Sequence, residues 1–212
     1  MNIGFKNIFI IDWDDTLFPS NWIVSNKIDL TNEYIITKYK LYFLELDKII
    51  NDFLVKLQYH GIVYIVTNAT IRWIASCLHL LPKTKHSVIE KKVTIISARD
   101  TYSNKSESPY DWKTFTFQDV IYTFIKNTGS FDKDMRINIF SLGDANYEYV
   151  ALINVDKYLK KENRNNFRYY LKNIRFIEKP DFNVVVNQIK KVDNNIFDLI
   201  QIRNYIDILL LA

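Results

Sequence analysis

The chain has a single cysteine, Cys77, among 212 residues, with only two methionines and four glycines. One thiol excludes an internal disulfide, and with it the small disulfide-stapled scaffold and the cysteine metal site. A reducing, cytoplasmic setting is the expectation. Uninterrupted hydrophobic runs are also missing. The apolar C-terminal stretch IFDLIQIRNYIDILLLA (196–212) is broken by Asp198, Arg203 and Asp207, so it reads as a packed helix and no membrane segment is expected. The opening MNIGFKNIFIID carries an aspartate where an export signal needs small residues for cleavage. The net charge of +4 is too mild to imply nucleic acid by itself. No internal repeat or low-complexity run appears. At 48% hydrophobic and 25% charged residues, the composition suits one folded domain over 1–212 and argues against disorder.

What is present is a recurrence of short β-branched runs. NIFIID (7–12), IVYIVT (62–67), KVTIISA (92–98), RINIFSL (136–142) and NIRFIE (173–178) read as five strands. Between them lie YKLYFLELDKIINDFLVKLQYH, TIRWIASCLHLL, DWKTFTFQDVIYTFIK and NYEYVALINVDKYLKK, with apolar residues recurring every three or four positions. Strands alternating with amphipathic helices predict an α/β fold with a parallel sheet. Two segments fall outside that count. Residues 18–32, rich in Pro, Ser, Asn and aromatics, read as a loop or short hairpin forming a flap, and 99–111 as a surface loop.

The first strand ends in DWDDT, with Asp12, Asp14 and Asp15 crowded into four positions. A strand buried on both faces tolerates charge only where it leaves the sheet, and in open α/β sheets ligands bind at that edge. Asp12 and Asp14 are two apart, so their side chains point to the same side. One carboxylate so placed is able to attack phosphorus while the other handles a proton, and the pair creates demand for a hard cation such as Mg²⁺. An acidic strand-end turn or a helix-capping cluster would read the same way from these residues alone.

Three further motifs follow in order: IVTN (65–68), WK (112–113) and SLGDANYE (141–148). With DWDDTL, they resemble the four motifs of the haloacid dehalogenase (HAD) superfamily of phosphohydrolases. The longer phrases IVTNATIRWIASCLHLLP, ISARDTY, WKTFTF, SLGDANYEYVAL and IRFIEKPDFNVVVNQI are similar to a capless HAD-like set from unicellular eukaryotes and large viruses. The resemblance implies a Rossmann-like three-layer sandwich with a five-stranded sheet of order 5-4-1-2-3. It implies that Asp12 is the nucleophile forming an aspartyl-phosphate, and that Asp14 is the general acid/base. Thr16 would support the loop. Thr67 would bind phosphate beside the Asn68 backbone N–H, and Lys113 would offset the charge of the aspartate and the phosphoryl group. The metal site would comprise Asp12, the Asp14 carbonyl and Asp144, with Glu148 acting through a metal-bound water. Gly143 would permit the turn that brings Asp144 forward. Asp15 has no chemical role and is expected to be solvated or to cap the flap. Arg99 would hold a substrate anion.

The intervals between the motifs leave no room for a large cap domain. An open site in this superfamily implies a macromolecular phosphorylated substrate, such as a phosphoprotein or a nucleic-acid end, or a partner acting as lid. Residues 157–175 hold Lys157, Lys160, Lys161, Arg164, Arg168, Lys172 and Arg175 against Glu162, with aromatics interleaved, which suits nucleic acid. A solvated helix end is the plainer reading, since basic residues favour helix C-termini. The expected activity is Mg²⁺-dependent phosphomonoester hydrolysis. The alternatives are a catalytically silent module that binds a phosphorylated protein or nucleic acid, and a phosphotransferase.

Overall fold

Ile8, Phe9, Ile10 and Ile11 are completely buried, because their strand, β1 (Phe5–Ile11), has a paired strand on each side and helices over each face. Burying each such side chain contributes roughly 1.5–3 kcal/mol, so this run alone anchors the centre of the fold. The structure, a computed structural model, describes residues 5–90, 93–128, 136–162 and 167–211. After β1 come α1 (Ser20–Ser25), α2 (Glu33–Lys38), α3 (Lys40–His60), β2 (Gly61–Thr67), α4 (Ile71–His79), α5 (Pro82–Glu90), β3 (Thr94–Ser97), α6 (Ala98–Tyr102) and α7 (Pro109–Thr128). The chain continues with β4 (Arg136–Gly143), α8 (Asn146–Glu162), β5 (Arg168–Arg175), α9 (Phe182–Gln201) and β6 (Ile206–Leu209).

The strands form one parallel sheet in the order β3-β2-β1-β4-β5-β6. Side chains alternate across it. Phe9 and Ile11 face a core made with Phe140 and Leu142 of β4, Leu46, Ile50 and Phe53 of α3, and Val185 and Ile189 of α9. Ile8 and Ile10 face the other core, with Ile137 and Ile139 of β4, Phe117 and Val120 of α7, and Leu152 and Val155 of α8. The result is an α/β, broadly Rossmann-like sheet flanked by helices on both faces. All strand C-termini reach one edge, where the polar motifs stand.

The sheet differs from expectation at its outer edge: it has six strands, not five. The inner order agrees with the expected one read from the opposite side. The additional strand lies in the C-terminal stretch read as a helix. α9 stops at Gln201, Ile202 adopts extended backbone (φ −66, ψ 126), and Ile206 to Leu209 pair with Lys172 to Arg175 of β5. Period two wins there: Ile206 and Leu210 are buried while Asp207 faces Asn173 and Arg175. β5 itself begins earlier than NIRFIE suggested and ends at Arg175; Phe176 N–H makes one more ladder bond to Gly143 O at 2.8 Å before the chain leaves the edge. β3 is only Thr94–Ser97, because Ser97 Oγ caps α6 at the Asp100 N–H, 3.0 Å away. The 99–111 segment is therefore not a plain loop: it carries α6 and the start of α7. The 18–32 segment holds a short helix, α1, in place of a hairpin. Between β1 and α3 stand only α1 and α2. Among the described residues, no helix is long and apolar enough to cross a membrane.

Candidate active site

β1 delivers the acid cluster to the sheet edge. Asp12 N–H bonds Leu142 O of β4 at 2.8 Å, extending the ladder by one residue past the strand. The chain then folds tightly: Leu17 and Phe18 N–H both reach Trp13 O (2.9 and 2.8 Å), and Asp15 N–H reaches Phe18 O (2.7 Å). This turn holds Asp15 at φ 55, a left-handed backbone that aspartate tolerates better than most residues. Trp13 is buried and stacks on Phe18, with ring centroids 5.9 Å apart. Alternation then puts Asp12 and Asp14 on the opposite side, where both line a cavity of about 370 Å³.

Lys113 projects from α7 into the same place. Its ammonium donates to Asp12 Oδ1 and to Val66 O, each at 2.6 Å, and forms an ion pair with Glu148 Oε1 at 2.7 Å. Burial alone would lower its pKa, but the charges of Asp12 and Glu148 outweigh burial and hold it above the ordinary lysine value. Asp12 is pushed up to about 7, by burial first and then by Glu148 and Asp14, against the pull of Lys113. Asp144, after β4, is pushed up to about 8 by burial and then by Asp12, Glu148 and Asp15. The cavity is lined by five carboxylates (Asp12, Asp14, Asp15, Asp144 and Glu148) against two cations, Lys113 and Arg99. Positive charge is in short supply there. Among the described residues, no group of three or more His, Cys, Asp and Glu side chains is gathered as a metal cage.

The remaining predicted residues fall around this cavity. Thr67, at the end of β2, lies with Oγ1 3.4 Å from Asp14 Oδ2 and accepts from Ala69 N–H at 2.9 Å. Asn68 lines the cavity, its Nδ2 donating to Pro109 O at 3.2 Å. Thr16 Oγ1 reaches Asp144 Oδ1 at 3.5 Å, which ties the first and fourth motifs together. Glu148, in the first turn of α8, is buried; Oε1 is ion-paired with Lys113, and neither carboxylate oxygen has a hydrogen-bond partner among the described residues. Gly143 leaves space for it: a Cβ there would stand 2.3 Å from Glu148 Cγ. Asp15 Oδ1 accepts from Asn21 N–H at 2.7 Å, in the first turn of α1, whose cap residue is Pro19. Arg99 is exposed at the rim, its guanidinium over the Trp112 ring at 5.4 Å. Three residues of the site carried no signal in the sequence: Ser20 and Trp73, which bond Asp14, and Tyr147, which lines the cavity. Trp73 in particular sits in an amphipathic helix, where an aromatic reads as core.

The basic stretch 157–175 does not gather at this site. Lys157, Lys160 and Lys161 lie at the end of α8, and Arg168 starts β5 at the opposite edge of the sheet; Arg164 lies outside the described residues. An eight-residue strand is about 26 Å long, so the two edges are well separated. Lys172 is buried, Lys160 pairs with Asp156 at 2.6 Å, and Arg175 pairs with Asp207 at 3.0 Å. A scan of the chain against protein-family models, a search of curated proteins and a search of solved structures each find no match.

Proposed function

We propose that the protein is a Mg²⁺-dependent phosphomonoester hydrolase of the HAD type, working through an aspartyl-phosphate on Asp12. The observation that carries the reading is the buried Lys113 bridging Asp12 and Glu148, beside Asp14, Thr67 and Asp144 on one cavity. The residues come from four separate strand or helix ends, in the order the HAD motifs require. A structural lysine has no need of two buried carboxylates at a ligand-bearing edge.

The donor set fits Mg²⁺. Asp12 and Asp144 supply hard carboxylate oxygens, and both are held above the ordinary carboxylate range, by burial first and then by the neighbouring acids. Mg²⁺ is usually held by one or two carboxylates together with substrate phosphate, so a cage of three acids is not required. Asp12, Asp144 and the Asp14 carbonyl would hold it, with Glu148 behind a coordinated water. When bound, it would neutralise phosphate charge that five carboxylates otherwise repel.

In the first step a carboxylate oxygen of Asp12 attacks phosphorus, the bond to the ester oxygen breaks, and Asp14 gives that oxygen its proton. In the second, Asp14 takes a proton from water as the water oxygen attacks phosphorus. The bond to Asp12 then breaks, releasing inorganic phosphate. Lys113 favours the ionised form of Asp12 against the effect of burial and offsets charge on the transferring group. Thr67 and the backbone at Asn68 would receive phosphoryl oxygens, and Arg99 at the rim would take an anionic part of the leaving group. With only α1 and α2 between β1 and α3, the site is open, which favours a macromolecular phosphate ester as substrate.

The test is hydrolysis of an aryl phosphate with Mg²⁺, with EDTA, and by Asp12→Asn. Turnover that needs both the metal and Asp12, with the variant folded and at background rate, is the expected result. Turnover retained in Asp12→Asn removes the nucleophile. Phosphoryl transfer to added alcohol in place of water would make the protein a phosphotransferase. Tight phosphoester binding without turnover would make it a binding module.

A further inference from the structure

Asp14 is held by residues with no place in the reaction just described. The indole N–H of Trp73 donates to Asp14 Oδ1 at 2.8 Å, and the hydroxyl of Ser20 donates to the same oxygen. The other oxygen, Oδ2, takes only a longer bond from the Thr67 hydroxyl, at 3.4 Å, and a hydroxyl, unlike an indole, can turn and accept. Trp73 is not a mobile donor. It sits in the first turn of α4, where its N–H bonds the cap residue Thr70, and its ring meets Phe18 edge-on at 6.1 Å. Phe18 in turn stacks on the buried Trp13. A chain of packed rings thus fixes the direction of one N–H bond.

An indole nitrogen donates and cannot accept. While Trp73 occupies Oδ1, that oxygen serves as an acceptor, and a proton carried by Asp14 belongs on Oδ2, the oxygen next to Thr67. We infer that Trp73, with Ser20, is a positioning residue for proton transfer: the two donors lock the Asp14 carboxyl so that Oδ2 delivers and takes the proton. The inference rests on the acid/base role of Asp14 in the proposed function.

Help from a general acid matters in proportion to the basicity of the leaving group: a nitrophenolate departs with little assistance, whereas phenolate needs the proton. Trp73→Phe keeps an aromatic ring near Phe18 and removes the N–H together with the five-membered half of the indole. The experiment measures kcat/KM, which reports the steps up to phosphoryl transfer to Asp12, across substituted phenyl phosphates from nitrophenyl to unsubstituted phenyl. The expected result is a loss on phenyl phosphate about tenfold or more larger than on nitrophenyl phosphate, within the range general acid catalysis supplies. A loss of folded protein would lower both substrates equally, and an equal loss on both overturns the inference. Ser20→Ala, a half-buried change at the start of α1, should give the same slope with smaller amplitude. It decides the matter where Trp73→Phe does not fold, and a flat profile for it then overturns the inference. Asp14→Asn is the reference. If it shows the leaving-group slope and the other variants do not, the clamp is wrong and the function stands. If it shows no slope, or the wild type has no activity, the acid/base reading fails and the clamp falls with it.

Discussion

Two lysines are fully buried among the described residues, and they occupy opposite surroundings. Lys113, ahead of the carboxyl edge, is met by two carboxylates and a carbonyl. Lys172, in β5, is met by the carbonyls of Ile202 and Asn204 in the turn that leads into β6, the second at 2.9 Å. Burial pushes Lys172 down to about 8, whereas Lys113 is held above its ordinary value. A neutral amine still has two hydrogens to give and would satisfy both carbonyls, so the Lys172 proton is dispensable. Lys113 faces two anions and stays charged. The difference separates the lysine of the proposed active site from one that latches the edge of a sheet.

The comparison is broken most directly by removing each charge. Lys113→Met leaves Asp12 and Glu148 buried without a counter-charge, and stranding a buried partner in this way costs about 3–5 kcal/mol. Denaturant unfolding should show a loss in that range, with the proposed phosphatase activity reduced by about 10²-fold or more. The stability loss should be smaller at pH 5 than at pH 8, because Asp12, already pushed up to about 7 by burial, then binds a proton. A loss under about 1 kcal/mol at both pH values would put Lys113 in the same class as Lys172.

The two edges of the sheet also differ in what their glycines face. A Cβ on Gly61, at the start of β2, would stand 2.2 Å from the backbone oxygen of Asn7 in β1; one on Gly143 would stand 2.3 Å from the Glu148 side chain. Alanine at either position should cost about 1–3 kcal/mol by overpacking. Only Gly143→Ala should also lower kcat, because Glu148 must leave Lys113 to make room. Equal specific activity of the two folded variants would detach Glu148 from the chemistry.

The same contrast explains what the sequence made legible. β1 and the acids after it were readable because a strand buried on both faces is a continuous apolar run, and charge at its end has one place to go. Thr67, Lys113 and Asp144 were readable from motif order, although the burial of Lys113 was not, since a lysine near the start of a helical pattern looks solvated. Trp73 and Ser20 were invisible: their roles depend on the direction of an N–H and an O–H after α1 and α4 have packed, and neither spacing nor composition encodes direction. β6 was missed because IDILLL suits a helix end as well as an edge strand, and the choice falls to pairing with β5.

The smallest effect tests the quieter lysine. Unfolded, Lys172 keeps its proton up to its ordinary value of 10.5; folded, it releases it near 8. Between those values the unfolded chain binds more protons, so raising the pH through this window stabilises the native state. Lys172→Met removes the titrating group and forfeits bonds to two carbonyls, a change of about 1 kcal/mol in either direction near neutral pH. The wild type should therefore gain stability relative to the variant between pH 7.5 and pH 10, measured as the difference in unfolding free energy from matched denaturant titrations. A difference that stays constant over that range would mean that folded Lys172 holds its proton at least as firmly as the unfolded chain does. A counter-charge for it would then have to be found in the β5 and β6 region, and the contrast between the two buried lysines would disappear.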